Sequence, residues 1–175
     1  MPEAEQNARA AGKRGFARLA AVQALYQQEN QQQSADEILE EFLSYRLGSP
    51  IVEEDSAAEV PHSDKAFLSA LLTGVAQEQN RLDALIKERL PETWTLPQLD
   101  PVVRAILRAG AFELLAMPEI PLSIILNEYI ELAKAFFDRR EPMFINGILH
   151  SIAHSLRPQE QEVTETAKRA LPGET

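Results

Sequence analysis

Apolar residues recur at three- and four-residue intervals along most of the chain, in segments separated by clusters of Pro, Gly, Ser and acidic residues. That period is the one a helix needs to turn one face toward a core. Phe16, Leu19, Val22 and Tyr26 define a first stripe, predicting a helix to about Glu29 after a polar, flexible start over residues 1–7. Ser34-Ala35-Asp36-Glu37 has the S-x-x-E form in which hydroxyl and carboxylate satisfy free backbone amides reciprocally, so a second helix begins there and ends near Gly48. Residues 49–61 hold two prolines and four acids and read as an exposed, mobile loop. Ser63 then offers an N-cap for a long helix whose inward face is Phe67, Leu68, Leu71, Leu72, Val75, Leu82, Leu85 and Ile86.

After a connection over 91–97 that contains Trp94, Asp100-Pro101 supplies a cap and a proline whose missing amide is harmless in a first turn. Val103, Ile106, Leu107, Gly110 and Leu114 form the next stripe. A turn over 117–121 leads to a helix carrying Leu126, Ile130, Ala133 and Phe136. The last helix starts at Pro142, turns Phe144, Ile145, Ile148, Leu149 and Ile152 inward, and stops at Arg157-Pro158. Gly74, Gly110 and Gly147 fall inside helices, where each costs about 1 kcal/mol against alanine, so close approach between helices is expected there. No window alternates as a strand would. The fold class is therefore all-α: two packed helical sub-bundles, about 8–90 and 98–157, with six or seven helices in one domain over 8–157 and a disordered acidic tail over 158–175.

Composition narrows the function classes. The chain has no cysteine, which removes disulfides, thiolate catalysis and Cys-ligated zinc. No signal-like or membrane-spanning apolar run is present, so a cytoplasmic location is expected. A net charge of −10 argues against binding nucleic acid until its distribution is considered. Between Asn7 and Tyr26 stand Arg9, Lys13, Arg14 and Arg18 and no acid at all. A solvated helix face would look the same.

The seven glycines form neither G-x-G-x-x-G nor a G-x-x-x-x-G-K-[ST] phosphate loop, and G-x-S-x-G and H-E-x-x-H are absent. His150 and His154 stand four apart on the last helix, but His62 is the only other histidine, too few ligands for a zinc site. Glu128 and Glu131 lack the Glu-x-x-His pattern of a di-iron bundle. The expectation is no catalysis, no metal and no cofactor, and what survives is recognition. A basic first helix that also carries Gln23 and Tyr26 can hold a phosphate backbone while amide and ring meet bases, a combination suited to single-stranded RNA. Phe136, Phe137 and Phe144 flank Arg139 and Arg140 in the last interhelical turn, a second place where stacking and charge coincide, unless the rings are core.

Several segments together resemble the NusB family of transcription antitermination factors. They are Ala21-Val22-Gln23-Ala24-Leu25-Tyr26, Arg104-Ala105-Ile106-Leu107-Arg108 through Phe112-Glu113-Leu114, Asn127-Glu128, Glu131-Leu132-Ala133-Lys134 and Phe144-Ile145-Asn146-Gly147-Ile148-Leu149. The resemblance implies an all-helical, non-enzymatic protein that binds boxA-type RNA together with a ribosomal protein, NusE. The pair supports RNA polymerase in an antitermination complex during ribosomal RNA transcription. It puts Lys13, Arg14 and Arg18 on phosphates, Phe144 near bases or the partner, and Phe136 at the partner surface; the residues themselves add Gln23 and Tyr26 on the RNA side and Arg140 beside Phe136 and Phe144 as a partner contact. Phe137, Arg139, Arg140 and Met143 depart from the family pattern and reverse the charge of that turn. Two other readings are a NusB-like module of an RNA cytosine methyltransferase, for which the chain has no glycine-rich cofactor loop, and a homodimeric structural helical protein.

Overall fold

A computed structural model describes residues 2–46 and 64–160, with side chains over 12–44 and 64–160. Six α-helices account for most of it: α1 (Pro2–Gln31), α2 (Ala35–Glu41), α3 (Lys65–Lys87), α4 (Pro101–Ala116), α5 (Leu122–Phe136) and α6 (Arg140–Leu156). α2 widens into a π turn over Phe42–Arg46, a 3-10 turn over Leu96–Gln98 precedes α4, and the described residues contain no strand. Helix is already present from Pro2, where a flexible start was expected; residues 2–11 are mostly Ala, Glu, Gln and Arg, strong helix formers.

The helix ends follow from local chemistry. Ser34 and Glu37 close the capping box, with the Glu37 amide donating to the Ser34 hydroxyl at 3.2 Å and the Ser34 amide to the Glu37 carboxylate at 2.9 Å. The hydrogen bond from the Ser34 backbone, and then that from its hydroxyl, lower the Glu37 pKa. Asp64, rather than Ser63, caps α3, accepting from the Phe67 amide at 2.9 Å. Asp100 accepts from the Val102 amide at 2.8 Å, with Pro101 in the first turn as expected. α6 begins at Arg140, so Pro142 lies inside its first turn, where its missing amide is tolerated.

α4 organises the core. It packs against α1 and α3 on one side and against α5 and α6 on the other, so the two three-helix groups share one continuous apolar cluster. Two of the three helical glycines mark close approaches: a Cβ on Gly74 would overlap the Phe112 ring, and one on Gly110 would come within 2.9 Å of Leu149. Gly147 faces open space, so the same explanation does not extend to it. At the far end of α4 the buried Arg157 guanidinium donates to the carbonyls of Leu114 at 2.9 Å, Met117 at 2.8 Å and Ile120 at 2.7 Å, satisfying the last turn and the loop beyond it.

The face that α1 presents differs from the expected stripe. Its buried apolar residues are Ala17, Ala20, Ala21, Val22, Ala24 and Leu25, whereas Phe16 and Tyr26 are exposed. Small side chains bring α1 close against α3 and α4, and the larger rings are left on the outer face. The loop over 49–61, His62 and the tail over 161–175 lie outside the described residues. The first residues beyond α6 are held, since Glu160 accepts from the Leu122 amide at 3.1 Å and pairs with Arg157 at 3.3 Å.

Candidate nucleic-acid interface

The outer face of α1 gathers three of the residues expected from sequence, Lys13, Gln23 and Tyr26, all exposed, with Phe16 among them; Arg14 is exposed as well, but off that face. At 100° per residue, Gln23 falls about 20° from Phe16, Lys13 about 60° to one side and Tyr26 about 80° to the other, so cation, amide and two rings share one side of the helix. Arg14 points about 160° away, toward the seam with α3. There its guanidinium carbon stands 5.2 Å from the centroid of the Phe67 ring. The Asp64 amide donates to the Lys13 carbonyl at 3.4 Å, so the start of α3 is fastened to the basic turn of α1. The side chain of Arg9 lies outside the described residues.

Arg18 does not belong to this surface. It is 2% exposed, 5.1 Å from the same Phe67 ring, and forms a two-pronged ion pair with Glu113, Nε to Oε2 at 2.9 Å and Nη2 to Oε1 at 2.8 Å. Tyr129 donates its hydroxyl to Glu113 as well, and Glu128 stands 3.8 Å from Arg18 Nη1. Burial works against the Arg18 cation, but the hydrogen bond and charge of Glu113, helped by Tyr129 and Glu128, outweigh it and raise its pKa. Burial, then the charge of Glu113, pushes the Tyr129 phenol well above the usual tyrosine range. A guanidinium buried and paired this way is out of reach of a phosphate, so the expected RNA contact of Arg18 is withdrawn. The sequence offered no sign of it, because the acid that claims Arg18 lies on α4.

A second cluster sits where α5 meets α6. Phe136 is exposed, with its ring centroid 6.4 Å from that of the half-buried Phe137. Arg139 and Arg140 are exposed and make no ion pair among the described residues. Phe144 resolves the choice between core and surface by being both: half-buried against the core, it meets Trp94 at 5.7 Å between centroids. No hydrogen bond, ion pair or ring contact among the described residues joins this cluster to the α1 surface. The contact of Trp94 with Phe144 was not foreseen; the available signal was a lone tryptophan in a loop between two prolines.

Among the described residues no group of three His, Asp or Glu side chains is placed to hold a metal, and no helix is long and apolar enough to cross a membrane. Fold and surface together define an all-helical recognition module with a basic, amide-bearing helix face and a separate aromatic turn. Comparison with known proteins gives the particular family. The NusB family model matches residues 16–154. The chain is 42% identical over 158 residues to transcription antitermination protein NusB of Sinorhizobium fredii, covering 90% of this chain and 96% of the relative. The Bartonella tribocorum protein of the same name is also 42% identical, over 85% of this chain and 93% of its own length. Among solved structures, T. maritima NusB superposes with a TM-score of 0.67 at 30% identity, covering 85% of this chain and 96% of that one. A complex of antitermination factors NusB and NusE with dsRNA shares the fold, with a TM-score of 0.66 at 20% identity over 82% of this chain and 97% of that one. The chain belongs to the NusB family.

Proposed function

We propose that this protein is a cytoplasmic transcription antitermination factor without catalytic activity of its own. It binds boxA-type single-stranded RNA together with the ribosomal protein NusE and supports transcription of ribosomal RNA. The observation that carries the reading is the match to antitermination proteins over nine-tenths of the chain. The exposed side chains of α1 support it locally. Lys13 and Arg14 reach phosphates while Gln23 and Tyr26 meet bases, and Phe136, Arg140 and Phe144 face the protein partner or the RNA at the α5–α6 turn.

A salt titration tests this directly. Binding of a labelled boxA-like RNA by the chain with NusE is expected to weaken linearly on a log–log plot against salt. Replacing Lys13 and Arg14 by Ala should reduce the slope by about 1.4, close to 0.7 for each single-strand phosphate no longer neutralised. An unchanged slope refutes the α1 site. Because a related complex contains dsRNA, an unlabelled duplex competitor belongs in the same experiment; displacement by duplex as effective as by single strand refutes the single-strand preference.

A further inference from the structure

Trp94 is the only tryptophan of the chain, and nearly half of its surface is open to solvent. One side of its indole meets Phe144, at 5.7 Å between centroids and a 41° tilt. The loop that holds it is braced at several points. The Trp94 amide donates to the Pro91 carbonyl at 2.8 Å, and the Thr95 amide donates to the Gln98 side chain at 2.8 Å. The Arg104 guanidinium donates to the carbonyls of Leu96 at 3.1 Å and Leu99 at 2.8 Å. A ring held in this way loses little freedom when something settles on it.

Arg140 lies one helical turn before Phe144, hence on the same side of α6, exposed and without an ion pair among the described residues. Met143, beside it, is 72% exposed, the most open large apolar side chain described. A planar ring, with an unpaired guanidinium fork one helical turn from the Phe144 that backs it, offers what a nucleotide requires: a surface for the base and donors for the phosphate. Asp138 and Glu141 flank Arg139 and Arg140 and leave the turn without net charge. Long-range attraction therefore belongs to α1, and this end of the bundle contributes at short range.

We propose that Trp94, backed by Phe144, is a base-stacking platform for single-stranded RNA, a second RNA contact separate from the basic face of α1. It rests on the RNA-binding reading above and extends it to a residue on the α3–α4 connection. Stacking on an aromatic ring is tolerant of base identity, so the platform strengthens binding more than it selects sequence.

Because Trp94 is the sole tryptophan, its own emission reports the event. The whole chain, with NusE, is titrated with an unlabelled boxA-like single-stranded 12-mer while Trp94 emission is followed, and in parallel with the same RNA labelled at its 3′ end while anisotropy is followed; any tryptophan of NusE is replaced by Phe beforehand. Quenching is expected to track the anisotropy curve. Trp94→Leu should weaken binding about ten- to hundredfold at an unchanged salt slope, while Trp94→Phe retains most of the affinity. Thermal melting of each variant confirms that the fold is kept, and Trp94→Phe provides the ring-bearing control should Trp94→Leu lower the melting temperature. Binding by anisotropy with unquenched emission and wild-type affinity of Trp94→Leu overturns the platform and leaves RNA binding intact. Loss of NusE affinity in Trp94→Leu with RNA affinity unchanged overturns it in favour of a protein-docking ring. No RNA binding at all overturns the platform and the RNA-binding reading together.

Discussion

Arg14 and Arg18 stand one turn apart on α1 and approach the same phenyl ring at nearly the same distance, yet one is exposed and the other is sealed in the core. Arg18 sits where α1, α4 and α5 converge, its charge answered by Glu113 and its neighbourhood completed by Tyr129. Arg14 sits where α1 runs past the start of α3, with Phe67 beneath it and solvent beyond. The difference teaches that a basic run on an acidic protein is not one site. Its inner member ties the helix to the bundle, and its outer members are what remains to meet a phosphate. Phe67 lies between the two roles.

The sharpest way to break the comparison is to remove the acid. Glu113→Ala leaves the buried Arg18 with only the more distant Glu128 as counter-ion and Tyr129 without its acceptor, and is expected to cost about 3 kcal/mol in denaturant-induced unfolding. The paired change Arg18→Met with Glu113→Leu should recover most of that loss, because two apolar side chains of similar size replace the buried ions. If Glu113→Ala were nearly neutral, the core reading of Arg18 would fail.

Tyr129→Phe probes the same cluster more gently. Losing its hydrogen bond to Glu113 is expected to cost about 1–2 kcal/mol at neutral pH. The sign with pH is specific. The phenol is raised above its ordinary range by burial first and by Glu113 second, whereas in the unfolded chain it titrates near about 10. Its contribution to stability is therefore whole below about pH 10 and declines as pH rises beyond it. The Phe variant should lack that alkaline decline, and equal alkaline slopes for the two proteins would contradict the placement of Tyr129.

Phe67→Leu then tests the shared ring. It keeps apolar volume but removes the π face from both guanidinium groups, and is expected to cost about 1–2 kcal/mol. Phe67→Tyr should restore most of it if the ring face, rather than the packing volume, is what counts; denaturation midpoints of the three proteins decide.

How much of this was legible in the sequence depends on how local the cause is. The Ser34–Glu37 capping box, the Asp100-Pro101 start and the stripes of α3, α4 and α6 involve residues within a turn or two of each other, and all appear where expected. Ser63 and Asp64 are both good caps one residue apart, and nothing local chooses between them. The face of α1 was misread because its contact surface is alanine, which carries little hydrophobic signal beside Phe16 and Tyr26. The burial of Arg18 and the pairing of Trp94 were not foreseen because their partners, Glu113 and Phe144, are supplied by distant helices. A pattern of spacing cannot report a pairing made only on folding.

The smallest effect on stability is expected at Arg14, and it separates the two arginines most cleanly. Arg14→Ala removes an exposed cation–π contact, worth about 0.5–1 kcal/mol, and leaves no buried group unpaired. Its effect on RNA should be larger in kind: with one phosphate fewer neutralised, the log–log salt slope falls by about 0.7. Arg18→Met should do the reverse, costing several kcal/mol of stability while, in the fraction that remains folded, leaving that slope unchanged. Measuring melting temperature and salt slope on the same two preparations places each arginine on one axis or the other. If Arg18→Met altered the slope as much as Arg14→Ala does, its guanidinium would have to leave Glu113 when RNA binds, and the division between the inner and outer faces of α1 would not hold in the complex.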